Sequence, residues 1–160
     1  MAISSGERIP EATLTIMSPE GPKPVSTAEL FGSGRSVLFA VPGAFTPTCS
    51  AQHLPGFLDQ AEQLQSKGVD RIVCMAVNDV FVMDAWAKAS NAGDQIQMAA
   101  DGNGEFANAL GLTMDASSFG MGQRSQRFAI IIDEGVAREV LVEAPGEFRV
   151  SSAESVLSKL

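Results

Sequence analysis

Val37-Leu38-Phe39-Ala40-Val41-Pro42-Gly43-Ala44-Phe45-Thr46-Pro47-Thr48-Cys49-Ser50 is the stretch on which the reading of this chain turns. Its first five residues are an apolar run and read as a buried strand. Pro42 and Gly43 break the run and open a loop. Beyond the loop, Leu54, Phe57, Leu58, Ala61 and Leu64 share one helical face. Thr46 is a good N-cap, and Pro47 then falls at the first helical position, where its missing N–H costs nothing. That count makes Cys49 the third residue of the helix. A capping box would place Glu or Gln there, reaching back to free backbone N–H groups. A thiol in that place instead faces the positive end of the helix dipole.

Working outward, the spacing predicts a helix from about 47 to 66, kinked at Pro55-Gly56 and ended by Gly68. On the N-terminal side, Thr13-Leu14-Thr15-Ile16 is β-like and Pro19 to Pro24 reads as a turn. Ser26 and Glu29 then form a capping box for a short helix. On the C-terminal side, Ile72 to Val77 is a second buried strand, and Asn78-Asp79 caps a helix with Val82, Trp86 and Ala89 on one face. A short strand near Ile96–Met98 and a short helix from Gly104 to Leu110 follow. Residues 113–125 lack periodicity and read as loop. Arg127 opens the apolar strand Phe128 to Ile132, Asp133-Glu134-Gly135 is a hairpin turn, and Val136 to Val142 is the partner strand. A last helix is expected from Ser151, with Glu154 completing its capping box. Parallel strands joined by helices, then an antiparallel hairpin and a helix, give an α/β fold. The expected architecture is a thioredoxin-like three-layer sandwich with a mixed central sheet, one domain over residues 1–160.

The totals narrow the function. With 160 residues, 45% of them hydrophobic and 19% charged, the chain can bury a sizeable core. A net charge of −8 argues against nucleic acid and against an anionic membrane surface as partners. No apolar run approaches the ~18 residues of a membrane span. The first residues carry neither a basic nor an apolar targeting segment, so a cytoplasmic location is expected, with an organelle form whose presequence was removed left open. Two cysteines, Cys49 and Cys74, make no disulfide framework and fit a reducing compartment. With one histidine, His53, they also leave no structural zinc site. There is no glycine-rich phosphate loop, and no bound cofactor is expected.

Function therefore turns on whether Cys49 is a nucleophile or a buried hydrophobe. Free cysteines are among the most buried residues, and the inert reading is the ordinary one. Cys49 departs from it by following a strand-to-loop crossing, where α/β proteins place ligands, and by sitting in the first turn of a helix. For a thiol to be mostly ionised at neutral pH, its pKa must fall from ~8.5 by roughly two, worth about 2.7 kcal/mol. A helix terminus supplies ~0.3–1 kcal/mol, at best ~2, so a fixed cation is needed as well. Arg127 is the candidate. If strand 128–132 runs antiparallel to strand 37–41, its start lies at the sheet edge that carries Cys49. The ordinary alternative is an arginine that solvates the start of a strand, and Arg124 is the nearest rival. Thr46 combines its capping role with a hydroxyl beside the sulfur, which can donate and accept. Pro42 shapes the loop, and its ring there would screen the sulfur from water.

Pro42-x-x-x-Thr46-x-x-Cys49 resembles the active-site motif of the peroxiredoxins. The longer string Val41 to Cys49, followed by His53-Leu54-Pro55-Gly56-Phe57, is similar to the type II (peroxiredoxin-five-like, atypical) class. Val77-Asn78-Asp79, Phe81-Val82, Trp86, Arg127-Phe128 and Val150 to Glu154 extend the resemblance over nearly the whole chain. It implies a thiol peroxidase that reduces hydrogen peroxide and alkyl hydroperoxides. Cys49 would form a sulfenic acid. Thr46, the Cys49 backbone N–H and Arg127 would hold the peroxide, and Pro42 would shield the sulfenic acid. The resemblance further implies a homodimer, for which Phe45 and Phe81 are candidate contacts, ordinary core packing being the alternative for either.

This sequence departs from some members of the class by having no cysteine between Gly146 and Ser158. Cys74 matches a cysteine assigned a resolving role in some plant-type members. It lies within an apolar strand run, however, and bonding to Cys49 would need Cα atoms within ~7 Å. If Cys74 is structural, an external thiol completes the cycle: glutathione, glutaredoxin or thioredoxin. His53, one turn beyond Cys49, would aid the sulfur as an imidazolium. Two rival readings stand beside the peroxidase. A disulfide oxidoreductase would want Cys-x-x-Cys, but Thr46 occupies the place of its first cysteine. A redox-sensing or holdase module is compatible with the acidic surface and the loop that holds Met114 and Met121.

Overall fold

The computed structural model describes all of residues 1–160. The chain begins with the hairpin β1 (Thr13–Ser18) and β2 (Gly21–Ser26), helix α1 (Thr27–Phe31) and strand β3 (Arg35–Ala40). A π-helical turn over Cys49–His53 leads into α2 (Leu54–Asp59) and α3 (Ala61–Ser66). Then come β4 (Arg71–Ala76), α4 (Val80–Ala89), β5 (Gln97–Ala100), α5 (Glu105–Leu110) and the short strands β6 (Thr113–Asp115) and β7 (Gln123–Ser125). Strands β8 (Phe128–Asp133) and β9 (Val136–Val142) and helix α6 (Ala153–Lys159) complete it. No helix is long and apolar enough to cross a membrane.

Seven strands form one mixed sheet in the order β2-β1-β5-β4-β3-β8-β9. The central trio β3, β4 and β5 is parallel, as helical crossovers require, while β8 pairs antiparallel with β3. Alternation along β3 divides the interior in two. Val37, Phe39 and Val41 face the layer that holds the π turn, α2, α3, α4 and α6. Leu38 and Ala40 face the layer of α1 and α5. The expected three-layer sandwich is thus realised, with apolar side chains on both faces of the central strands.

Four local expectations are corrected. Pro19 to Pro24 is not all turn: β2 takes in Pro22 and Pro24, which is tolerable because β2 is an edge strand and those positions need no second ladder partner. The irregularity expected at Pro55-Gly56 lies just upstream, and α2 runs through both residues. Pro55 lacks the N–H for an ordinary helical bond, and its ring would crowd the carbonyl four residues back. The strain is taken up upstream, where Leu54 N donates to Cys49 O in π register. The actual break is at Gln60, with φ −101° and ψ 5°. Residues 113–125 contain the hairpin β6–β7, whose strands are largely half-exposed and so leave little hydrophobic alternation to read. Finally, α6 is capped by Ser152, whose side chain accepts from Ser155 N at 3.1 Å, and not by Ser151.

Other punctuation reads true. Ser26 Oγ accepts from Glu29 N at 3.1 Å and starts α1. Asp79 accepts from Val82 N at 2.9 Å and starts α4. Glu134 and Gly135 have φ of 50° and 79°, the left-handed pair that a tight β8–β9 hairpin needs.

Phe39 of β3 and Phe57 of α2 stack with ring centroids 4.0 Å apart and planes 4° from parallel, and both are fully buried. This pair ties the helix that follows Cys49 to the sheet. Phe57→Ala is therefore expected to lower unfolding free energy by about 3–5 kcal/mol, read from urea denaturation followed by circular dichroism.

Candidate active site

The β3–β8 register places Ala40 opposite Phe128. The residue before β8 therefore lies at the edge where β3 gives way to the Pro42–Thr46 loop. Arg127 reaches Cys49 across that edge, its Nη2 donating to Sγ at 3.1 Å. The second terminal nitrogen, Nη1, lies 2.8 Å from His53 Nδ1. The sulfur is fully buried, but it is not sealed in hydrocarbon, since a guanidinium meets it. Arg124, the rival, faces the loop instead. Its Nε donates to Met121 O at 2.9 Å and its Nη1 to Pro42 O at 3.4 Å.

Thr46 lies just before the helical turn but does not cap it with its side chain. Its hydroxyl donates to Gly43 O at 2.7 Å, closing the loop on itself. The helical start is secured by the backbone, Ser50 N donating to Thr46 O at 2.9 Å. Because the Thr46 proton is committed to Gly43, its oxygen retains lone pairs for an incoming donor. Phe45 adopts φ 65°, an uncommon left-handed conformation for a bulky residue, within this turn. Asn78 Oδ1 accepts from Ala44 N at 2.9 Å and pins the loop to the end of β4. From α4, Trp86 Nε1 donates to Ser50 Oγ at 3.1 Å and fixes the π turn from the other side.

His53 sits in the interior between Phe39, Phe57 and Phe148, with ring centroids 4.9, 5.6 and 4.9 Å away. Its Nε2 is 2.9 Å from Ser151 O. A carbonyl only accepts, so Nε2 carries the proton and Nδ1 is left to accept from Arg127. The imidazolium expected here is therefore corrected to a neutral ring. Burial, reinforced by the charge of Arg127, lowers the His53 pKa from 6.5 to about 3, against the smaller opposing pull of Ser151 O and Glu143.

Glu143, just past β9, lies behind this array. Its carboxylate accepts from Arg149 N, Val150 N, Ser151 N and Ser151 Oγ, with distances of 2.7–2.9 Å. Burial works against its charge, but the donors of Arg149, Ser151 and Val150 prevail and hold its pKa below the ordinary value. Sequence reasoning missed Glu143, Ser151 and the loop-anchoring role of Asn78. A carboxylate abutting the apolar strand Val140-Leu141-Val142 was the available signal, but its partners are mostly backbone N–H groups, which leave no mark in sequence.

Cys74 lies in mid-β4, paired with Phe39, fully buried and unbonded. Burial foremost pushes its thiol pKa well above the ordinary value. It shares an apolar cluster with Cys49, but a strand bonded on both edges holds it in place. Pro42, Thr48, Gln52 and Arg127 help line an open cleft of about 810 Å³ whose other wall includes Phe119 and Phe148. No group of three or more His, Cys, Asp or Glu is arranged to hold a metal ion.

A cleft walled by a guanidinium that itself meets a cysteine sulfur suits attack by sulfur on a small electrophile. Comparison with known proteins agrees. The Redoxin family description matches residues 4–157. Peroxiredoxin-2E, chloroplastic, of Arabidopsis thaliana is 45% identical over 99% of this chain and 70% of its own length. Peroxiredoxin-2B of the same plant is 43% identical over 99% of this chain and 98% of its own. The crystal structure of reduced Prx3 in complex with H2O2 from Vibrio vulnificus superposes with a TM-score of 0.95 at 52% identity, covering 98% of each chain.

The neutral His53 has a consequence for acid stability. Between pH 6.5 and about 3 the unfolded chain takes up a proton that folded His53 refuses, so stability falls as pH drops through that window. Glu143 acts with the same sign lower down, since its contribution is full above the ordinary carboxylate range and is lost as the folded group protonates. His53→Gln should flatten the decline of the urea midpoint between pH 6.5 and about 3, and equal slopes for the two proteins would contradict the assignment.

Proposed function

The chain belongs to the type II, peroxiredoxin-five-like class of the peroxiredoxins, which are thiol-dependent peroxidases, and from that premise we propose that Cys49 is the residue that meets the peroxide. The observation that carries this reading is the 3.1 Å contact from Arg127 to the Cys49 sulfur. A permanently charged donor at that distance can stabilise negative charge on the sulfur and on an oxygen departing beside it.

The reaction needs these groups and one proton from solvent, the equivalent of the one the thiol released on ionising. The ionised sulfur attacks one peroxide oxygen, an S–O bond forms and the O–O bond breaks. The leaving oxygen departs with the bonding pair, takes up a proton and emerges as water or alcohol. Sulfur is oxidised by two electrons to a sulfenic acid. Arg127 faces the charge that moves from sulfur to leaving oxygen. The lone pairs of Thr46 accept the peroxide O–H, which selects the orientation of the O–O bond. Pro42 forms the lip of the cleft and limits the water that reaches the sulfur. The site needs no bound cofactor, only an external reductant.

That reductant is an outside thiol: glutathione, glutaredoxin or thioredoxin. Support comes from Cys74, whose burial within β4 keeps it a protonated thiol held in a strand. Thiol recycling fits a reducing compartment, either the cytoplasm or an organelle of the kind named for the plant relative. A homodimer is supported by the exposed rings of Phe45 and Phe81, 53% and 64% accessible in the single chain.

Cys49→Ser is expected to abolish peroxide consumption, and Arg127→Leu to slow the first turnover about 10²- to 10³-fold. Cys74→Ser should leave the first turnover at the wild-type rate. Stopped-flow mixing with hydrogen peroxide measures these rates. Mass spectrometry after one equivalent should find one added oxygen on Cys49. A Cys49–Cys74 bond in that experiment would refute the external reductant, and a wild-type rate equal to that of free cysteine would refute the peroxidase site.

A further inference from the structure

Arg127 makes none of the four ion pairs of the protein. A guanidinium has five N–H donors, and its direction must come from acceptors. Here the side-chain acceptors are the Cys49 sulfur and His53 Nδ1. What makes Nδ1 an acceptor is the carbonyl of Ser151 on the far side of the ring, which claims the proton at Nε2. What holds that carbonyl in place is Glu143, which gathers the Ser151 N–H and hydroxyl together with the N–H groups of Arg149 and Val150. The path then closes on itself, because Glu143 N donates to Arg127 O at 3.0 Å. Each link is short and in the interior or partly so, and each leaves its donor or acceptor one sensible role.

We propose that Glu143 is a positioning residue for the peroxidase reaction: through the Ser151 carbonyl and His53 it fixes the direction in which Arg127 faces the Cys49 sulfur. The arrangement solves a charge problem. A carboxylate placed directly on Arg127 would aim it equally well, but it would neutralise much of the charge the reaction needs. Glu143 spends its negative charge on four donors, and a neutral imidazole passes on the orientation alone. Phe148, 5.8 Å from the guanidinium carbon and on the loop that Glu143 folds back, limits the alternatives open to Arg127.

The inference rests on the peroxidase reading, and the two are tested by different quantities: the wild-type rate tests that reading, and variant-to-wild-type ratios test this one. The measurement is the second-order rate of Cys49 oxidation by hydrogen peroxide. His53→Leu, which fills the space without an acceptor, should be slower by about 100-fold, the cost of a misaimed group. His53→Gln can both donate to Ser151 O and accept from Arg127, and should recover to within about fivefold of wild type. Glu143→Gln should be slower by about 10- to 100-fold. The double variant His53→Leu with Glu143→Gln should be no slower than the slower single one, as expected for residues acting on one shared group. Effects that multiply would overturn the proposal, as would His53→Gln matching His53→Leu or Glu143→Gln matching wild type. If Glu143→Gln does not fold, Ser151→Ala decides. It removes one donor from the carboxylate, keeps the carbonyl, and should slow the reaction about three- to tenfold; an unchanged rate overturns the proposal.

Discussion

A hydrogen bond between a guanidinium and a sulfur, joining residues 78 positions apart, is the contact around which this protein is arranged. Neither end could be placed by local structure alone. Cys49 is carried by a turn that hangs from the end of β3, and Arg127 by the residue that precedes β8. Only the antiparallel register of those two strands brings the two termini to one edge. A shift of one residue would turn Phe128 and its neighbours to the wrong layer, so the hydrophobic pattern that fills the two cores also guards the register of the site. Packing and chemistry are here the same constraint.

Much of this was legible in the sequence. The strands carried continuous apolar runs because they are covered on both faces, and the caps at Ser26 and Asp79 were written in residue types that leave few other roles. Arg127 was legible too, as a charge at the mouth of an otherwise apolar strand. What escaped reading was whatever depended on backbone groups. Thr46 looked like a cap, yet its hydroxyl serves Gly43, because the loop closes before the helix needs it. Ser151 looked like the start of the last helix, yet a carboxylate eight residues earlier claims it. His53 looked like a charge to offer the sulfur, but burial among three aromatic rings, with Arg127 alongside, leaves it neutral. Side-chain pattern reports burial and punctuation well, but it is silent on which carbonyl or amide a polar group will find in three dimensions.

The two cysteines show how far environment outweighs identity. Both are buried, and both belong to the same apolar cluster. One stands on a helical turn with a cationic donor at hydrogen-bond distance. The other is laced into a sheet between β3 and β5, where burial makes ionisation costly. The difference lies in the polar neighbour, not in exposure. Accessible surface alone would have ranked the two sulfurs equal.

The widened turn between Cys49 and His53 began as a remedy for Pro55, but it has a second effect. It puts the sulfur and the imidazole on one short piece of chain, with the arginine anchored separately on the sheet. A motion that unwound that piece would draw the sulfur and the imidazole away from the guanidinium together. The arginine therefore keeps or loses both of its side-chain acceptors as a unit, because one short length of backbone carries them.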